Sequence, residues 1–196
     1  NLNEDKLTEI LEKAKKYIYD GDIFQVVLSR KFSFDANGHY LKVYQKLRSL
    51  NPSPYLYHMK MNKKIVIGSS PEMLLRVTND QVETFPIAGT RKITDDETSN
   101  EEMKKELIND EKDLAEHTML VDLGRNDVGK ICDYGIVHVK ELIEVIKFCH
   151  VQHMVTDVIG KLITNHDMWD AFKSIYTTGT VYVEPQVMDM EIINAF

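Results

Sequence analysis

The sequence predicts a mixed fold of helices and strands, and three observations carry that expectation. Residues 2 to 18 repeat apolar side chains on a helical period. Two β-branched and aromatic runs, "YLYHMKM" and "KIVIGSS", meet across Asn62-Lys63. From Asn100 a long polar stretch keeps apolar positions at helical spacing. With 196 residues, 43% hydrophobic and 28% charged, the chain can bury a core of ordinary size and reads as a globular protein. No internal repeat, Gly/Ser linker or second composition regime divides it, so residues 1–196 read as one domain or part of one.

In order, the first helix places Leu7, Ile10, Leu11, Ala14, Tyr17 and Ile18 on one face, with Asn3 as its cap and Asp20-Gly21 as its stop. "IFQVVLS", Ile23 to Ser29, is nearly continuously apolar and predicts a strand covered on both faces. Gln25 is the polar exception, and a buried amide there calls for a hydrogen bond to a neighbouring strand. A short helix over Tyr40–Leu50 stops at "NPSPYLY", where Pro52 and Pro54 forbid continuation. The hairpin follows, and Ser69 to Glu72 emerge from the far end of its second strand. The polar stretch predicts a helix capped by Asn100, with Met103, Leu107, Leu114 and Leu123 as its apolar positions. The last long strand is "VIKFCHVQHMVTDVIG".

Several residues stand out chemically, each with a plainer alternative. "VETFPIAGTRK", Val82 to Lys92, leads from a strand-like run into Pro86, Gly89 and small neighbours. Such a turn suits a carboxylate or phosphate pressed on free backbone N–H groups, or is simply a strand end with a glycine turn. Glu72, directly before an apolar run, is either a partly buried general acid or a helix-start carboxylate. Asp113 and Glu116, three apart on one helical face, suit a divalent ion such as magnesium or form a solvated acidic face. His150 and His153 cannot share one zinc ion from a strand, because residues three apart point to opposite faces.

Other classes are excluded or disfavoured. A net charge of −7 offers no basic stripe for nucleic acid, and no apolar run approaches the length of a membrane span. Cys132 and Cys149 are too few for a disulfide framework and lack zinc spacing, which fits a reducing cytoplasm. The chain opens at Asn1 without a charged-then-apolar leader and closes at Phe196 inside a helix-like stretch, so both ends read as cut.

Six motifs in unbroken order resemble one family. They are "GDIFQVVLSR" (21–30), "NPSPYLY" (51–57), "GSSPEMLLRV" (68–77), "ETFPIAGTR" (83–91), "DEKDLAEHTMLVDLGRNDVGKIC" (110–132) and "HVQHMV" (150–155). Together they resemble the chorismate-utilising enzymes, and within these the anthranilate synthase component I group. The resemblance implies an α+β fold, a sandwich of antiparallel sheets with helices outside, here incomplete. It implies ammonia-dependent conversion of chorismate to anthranilate with loss of pyruvate, the first committed step of tryptophan biosynthesis.

By the same resemblance, Glu72 is the general acid to the departing ring hydroxyl and His153 hydrogen-bonds near it. Gln25, Ala88, Gly89, Thr90 and Thr180 line the substrate. Glu116 holds Mg2+, with Asp113 in or just outside its shell. Family members that make aminodeoxychorismate carry a lysine nucleophile where this chain has Ala88, and members that add water carry a lysine base where it has Gln25. Neither position here can bond to the ring or deprotonate water, which leaves ammonia as the nucleophile. A glutamine amidotransferase subunit is the implied ammonia source. Asn51, Pro52, Ser53, Pro54 and Tyr55 resemble part of a tryptophan feedback site. The turn "TGTVYVEPQ" departs from the family pattern: Tyr182, Val183 and Glu184 replace small residues, and Gln186 replaces a lysine. Those substitutions oppose a dianion there and keep two other readings open: a chorismate aminase that stops before pyruvate loss, and a non-catalytic relative that serves as a binding module.

Overall fold

The computed structural model describes residues 4–23, 25–28 and 31–176. The chain divides into two compact units, residues 1–35 with 176–196, and residues 36–175.

In the first unit, helix α1 (Glu4–Asp20) stops where expected. Gly21 turns left-handed at φ +81°, its N–H bonds to the Ile18 carbonyl, and Asp22 N–H reaches back to the Tyr17 carbonyl. This is a Schellman stop, and glycine is the residue that adopts it without strain. Asn3 lies outside the described residues. Of the strand expected over Ile23–Ser29, Phe24 and Ser29 lie outside the described residues, and Ile23 and residues 25–28 form no regular element. Ile23 instead buries itself against Tyr17 and Val26, so apolar content is spent on packing beside the helix rather than on a sheet.

The second unit opens with α2 (Tyr40–Leu50) and the hairpin of β1 (Tyr55–Met61) and β2 (Lys64–Ser70), all with the expected bounds. Asn62, at φ +53°, supplies the left-handed turn residue. Across the hairpin Gly68 faces Tyr57, whose ring fills the space a side chain at 68 would take.

A five-stranded antiparallel sheet holds the candidate site. It comprises β3 (Arg76–Thr78), β4 (Gln81–Thr84), β5 (Ile87–Lys92), β6 (His138–Lys147) and β7 (Val151–Lys161). Strand β7 is central, with β6 along one edge and β4 and β5 along the other. β4 and β5 keep a single register on β7, from Gln81↔Lys161 to Ala88↔Met154, so they form one strand line broken at Phe85-Pro86. Pro86 has no N–H to give, but its carbonyl still accepts Thr156 N–H at 3.2 Å. The segment expected as a turn therefore runs on as a strand, and its irregularity is a bulge between Ala88 and Thr90.

Side chains alternate along β7. Gln152, Met154, Thr156 and Val158 point to the helices, while His153, Val155 and Asp157 point to the opposite face. The polar stretch makes two helices, α3 (Glu97–Asn109) and α4 (Glu111–Gly129). Asp96 caps the first through Thr98 and Ser99 N–H, and Asp110 caps the second through Asp113 N–H. Asn100 is thus no cap: it is buried within α3, where its amide brackets Thr94. The expected last strand is a hairpin, β6 and β7, turning over Phe148–His150. The core joins Val82, Val121, Val128, Cys132 and Val158 with Ala171 and Ile175 of α5 (Met168–Tyr176).

Candidate active site

Glu72 lies in the turn after β2, not at a helix start, so no helix dipole acts on it. Ser70 Oγ accepts the Glu72 N–H at 3.2 Å and fixes the turn. The Ile87 N–H lies near enough to the Glu72 carboxylate to favour its charged form. Because the Pro86 carbonyl is spent on β7, the Ile87 N–H points to the free edge of the sheet, and Glu72 seats there. Glu72 is exposed at the surface of this chain, yet protein crowded about its carboxyl raises the pKa above the ordinary value, and the Ile87 N–H draws it partly back.

Two residues further, Gly89 has φ +67°. A Cβ there would lie 2.7 Å from Leu107 Cδ1 and 3.0 Å from Met154 Cε, so the position is closed to side chains on both counts. The bulge brings the Gly89 carbonyl within 2.9 Å of His153 Nδ1, with Thr90 Oγ1 at 3.0 Å. A carbonyl only accepts, so Nδ1 carries a proton, and in the neutral tautomer Nε2 is the acceptor. Phe148 packs edge-on against the ring at 5.4 Å between centroids. Glu72, Ile87, Gly89, Thr90 and His153 are therefore linked residue to residue. Ala88 pairs with Met154 and is 7% exposed, on the side of β5 that faces the helices.

Helix α4 brings the acidic pair to the same strand. Asp113 Cβ stands 3.4 Å from the place of a Gly89 Cβ, and Glu116 follows within one turn. The pair is not equivalent. Arg91 Nη1 donates to Asp113 Oδ2 at 2.9 Å, Nη2 to Asp110 at 3.2 Å and Nε to Glu106 at 2.9 Å. Asp113 is thereby occupied. Glu116 is half-buried and makes no hydrogen bond or ion pair among the described residues. One free carboxylate suits magnesium, which keeps several waters and accepts substrate oxygens, better than a cage of protein ligands. Among the described residues no three Asp, Glu, His or Cys side chains gather around one point.

The other candidates fall elsewhere. Gln25 is half-buried in the first unit, and no hydrogen bond joins it to another described residue. Thr180 and the "TGTVYVEPQ" turn lie outside the described residues. His150 sits in the β6–β7 turn, where Nε2 is 3.2 Å from the Leu50 carbonyl. The Asn51–Tyr55 segment is tied to β2 by Ser69 Oγ, which meets Ser53 Oγ at 2.8 Å and the Asn51 carbonyl at 2.9 Å.

The profile of the chorismate binding enzymes matches residues 1–196. The chain belongs to that family. It is 47% identical over 194 residues to anthranilate synthase component 1 of Acetivibrio thermocellus, covering 99% of this chain and 39% of that protein. It is 46% identical over 193 residues to the component 1 protein of Saccharolobus solfataricus, covering 98% and 46%. The crystal structure of anthranilate synthase component I from Streptococcus pneumoniae TIGR4 superposes with a TM-score of 0.89 at 37% identity, over 100% of this chain and 43% of that one. The chain thus spans about two fifths of the length of these relatives.

Arg91, His117 and Thr156 are partners in the contacts between α4 and the sheet or within the acidic cluster, and none stands out in the sequence. Arg91 lies inside one of the six motifs, but nothing in sequence shows that three carboxylates converge on it. His117 does carry a signal: it shares the helical register of Val121, Gly124 and Val128, which marks it as facing the sheet. It is fully buried, and burial lowers its pKa, so it stands neutral. No helix among the described residues is long and apolar enough to cross a membrane.

Proposed function

We propose that this chain supplies chorismate-handling residues for the ammonia-dependent conversion of chorismate to anthranilate, with release of water and pyruvate. One arrangement carries the reading: the Glu72 carboxyl lies beside the Ile87 N–H, where surrounding protein favours its protonated form, and the next residue, Ala88, offers only a methyl group. The site has an acid for a leaving hydroxyl but no amine of its own at position 88, so the nitrogen comes from outside. The curated relatives at 47% and 46% identity carry the name of that activity.

In this reading Glu72 gives its proton to the departing ring hydroxyl, and its raised pKa keeps that proton available nearer neutrality. His153 is held by the Gly89 carbonyl with Nε2 directed away from it, ready to accept a hydrogen bond from substrate or water. Thr90 and the Gly89 bulge fix that ring. Glu116 would hold magnesium, which when bound neutralises a substrate carboxylate and stabilises charge that builds on the ring. Asp113, engaged by Arg91, supports the helix from outside that shell. Ammonia arrives from a glutamine amidotransferase subunit, tryptophan acts back through the Asn51–Tyr55 segment, and the setting is cytoplasmic. Residues 1–196 form part of the chorismate-binding domain.

The test is Glu72→Gln in the complete protein, assayed by anthranilate fluorescence with chorismate, ammonia and magnesium. Turnover is abolished while chorismate still binds, because an amide keeps the shape and the Ile87 contact but donates no proton to the leaving group. Activity within a few-fold of the parent defeats the assignment.

A further inference from the structure

Helix α4 rides unusually close to the sheet. A Cβ at Gly124 would stand 3.2 Å from Pro86 Cγ and 3.4 Å from Thr84 Cγ2, and one at Gly160 would stand 2.8 Å from Val128 Cγ1. Glycines on either side of the interface let backbone approach backbone. Within it lies a polar contact, His117 Nε2 to Thr156 Oγ1 at 2.7 Å, between side chains that are 0% and 1% exposed. Thr156 Oγ1 also accepts the N–H of Ile143 at 3.1 Å. Ile143 has φ +60° inside the bulge that separates Glu141 from Glu144 on β6, a conformation that disfavours β-branched residues.

This pair is a poor device for stability. His117 Nδ1 is buried with no hydrogen-bond partner among the described residues, and an apolar pair of similar shape would avoid that cost. What a directional bond supplies, and an apolar contact does not, is a fixed rotation and height of one element on another. Glu116 is the residue before His117, so any turn or slide of α4 about that bond moves its carboxylate. Errors of about 1 Å in the placement of such a group are costly to catalysis.

We propose that His117 is a positioning residue, whose bond to Thr156 sets the Glu116 carboxylate against the Ile87–Thr90 stretch and locks the β6 bulge in the same act. The metal part of this inference rests on the reading of Glu116 given above, whereas the placement of Glu116 does not.

The substitutions discriminate because they mimic different ring atoms. In His117→Gln the amide nitrogen reaches the place of Nε2, whereas in His117→Asn it falls at the place of Nδ1. Likewise Thr156→Ser keeps the hydroxyl and Thr156→Val removes it. Two readouts are taken on the purified protein: the NMR resonances of Glu116, and the affinity for Mn2+ followed by water-proton relaxation, with Glu116→Ala as control. His117→Asn and Thr156→Val shift the Glu116 and Ile143 resonances and weaken Mn2+ by about 10-fold, as supporting groups behind a ligand do. His117→Gln and Thr156→Ser stay close to the parent, and the double variant His117→Asn/Thr156→Val is no worse than either single one. The proposal is overturned if Glu116 resonances stay in place in the Asn and Val variants, or if the Gln and Ser variants are as damaging as these. If Glu116→Ala binds Mn2+ as well as the parent, the metal reading alone falls, and the Glu116 resonances still decide the positioning role.

Discussion

Gly89 and His153, on neighbouring strands, are joined at 2.9 Å through a backbone carbonyl that only a bulge can turn toward the ring. The catalytic candidate is therefore aimed by a residue without a side chain. Gly89→Ala meets two penalties, a left-handed φ and a Cβ at 2.7 Å from Leu107. The expected loss is about 2–5 kcal/mol, the sum of the two effects, read as a lower urea midpoint. A midpoint equal to the parent's would show that the bulge relaxes freely.

Glu72 gives a signed pH dependence. Its carboxyl pKa is raised in the folded state from an ordinary 4.5, so folding favours the protonated form. The stability it contributes is fully present below the unfolded value and is lost as pH rises through the folded one. Glu72→Gln, neutral at every pH, removes that loss. The variant should gain on the parent in thermal stability as pH is raised from acid toward neutrality, and a difference independent of pH would contradict the shift.

Arg91 gathers Glu106, Asp110 and Asp113 with its side chain only 19% exposed. Lysine keeps the charge and loses the fork, so Arg91→Lys cannot hold the end of α3 and the start of α4 together. The expected cost is about 1–3 kcal/mol, partly screened because Glu106 is open to solvent. Urea titration in low and high salt checks it, and the gap between parent and variant narrows with salt.

Local chemistry explains what can be read in advance. The hairpin about Asn62-Lys63 and the helix before Pro52 are legible, since turn residues and proline act on their immediate neighbours. The break at Asp110 is hidden because Leu107 and Leu114 keep helical spacing straight across it, and the cap shows itself only once its side chain meets Asp113 N–H. Ile23 and Val26 mislead for the opposite reason: apolar β-branched residues state a need for burial, and for Ile23 packing against Tyr17 of a helix meets that need as well as a sheet does. Motif residues Glu72, Gly89 and His153 fall together, but the engagement of Asp113 by Arg91 is a long-range fact that spacing along α4 cannot carry.

The two thiols should separate cleanly. Cys149 is exposed in the β6–β7 turn, whereas Cys132 is 3% exposed and its pKa is pushed up to about 11 by burial. A disulfide reagent such as DTNB therefore titrates Cys149 promptly and Cys132 only on unfolding. Rapid release of two equivalents from the native protein would contradict the packing of Cys132 against Gly160.

The centrality of β7 bears on how the protein is made. β4, β5 and β6 all find their shared partner in Val151–Lys161, the last strand among the described residues to leave the ribosome. Among the described residues, β4 until then has β3 on one edge and nothing on the other, while β5 and β6 have no strand partner. A growing chain must shelter these apolar segments through much of its synthesis, and closure of the sheet becomes a late, long-range event. Translational pausing after Lys161 would favour productive folding, whereas a stall before Val151 would leave three strands open to pairing with other molecules.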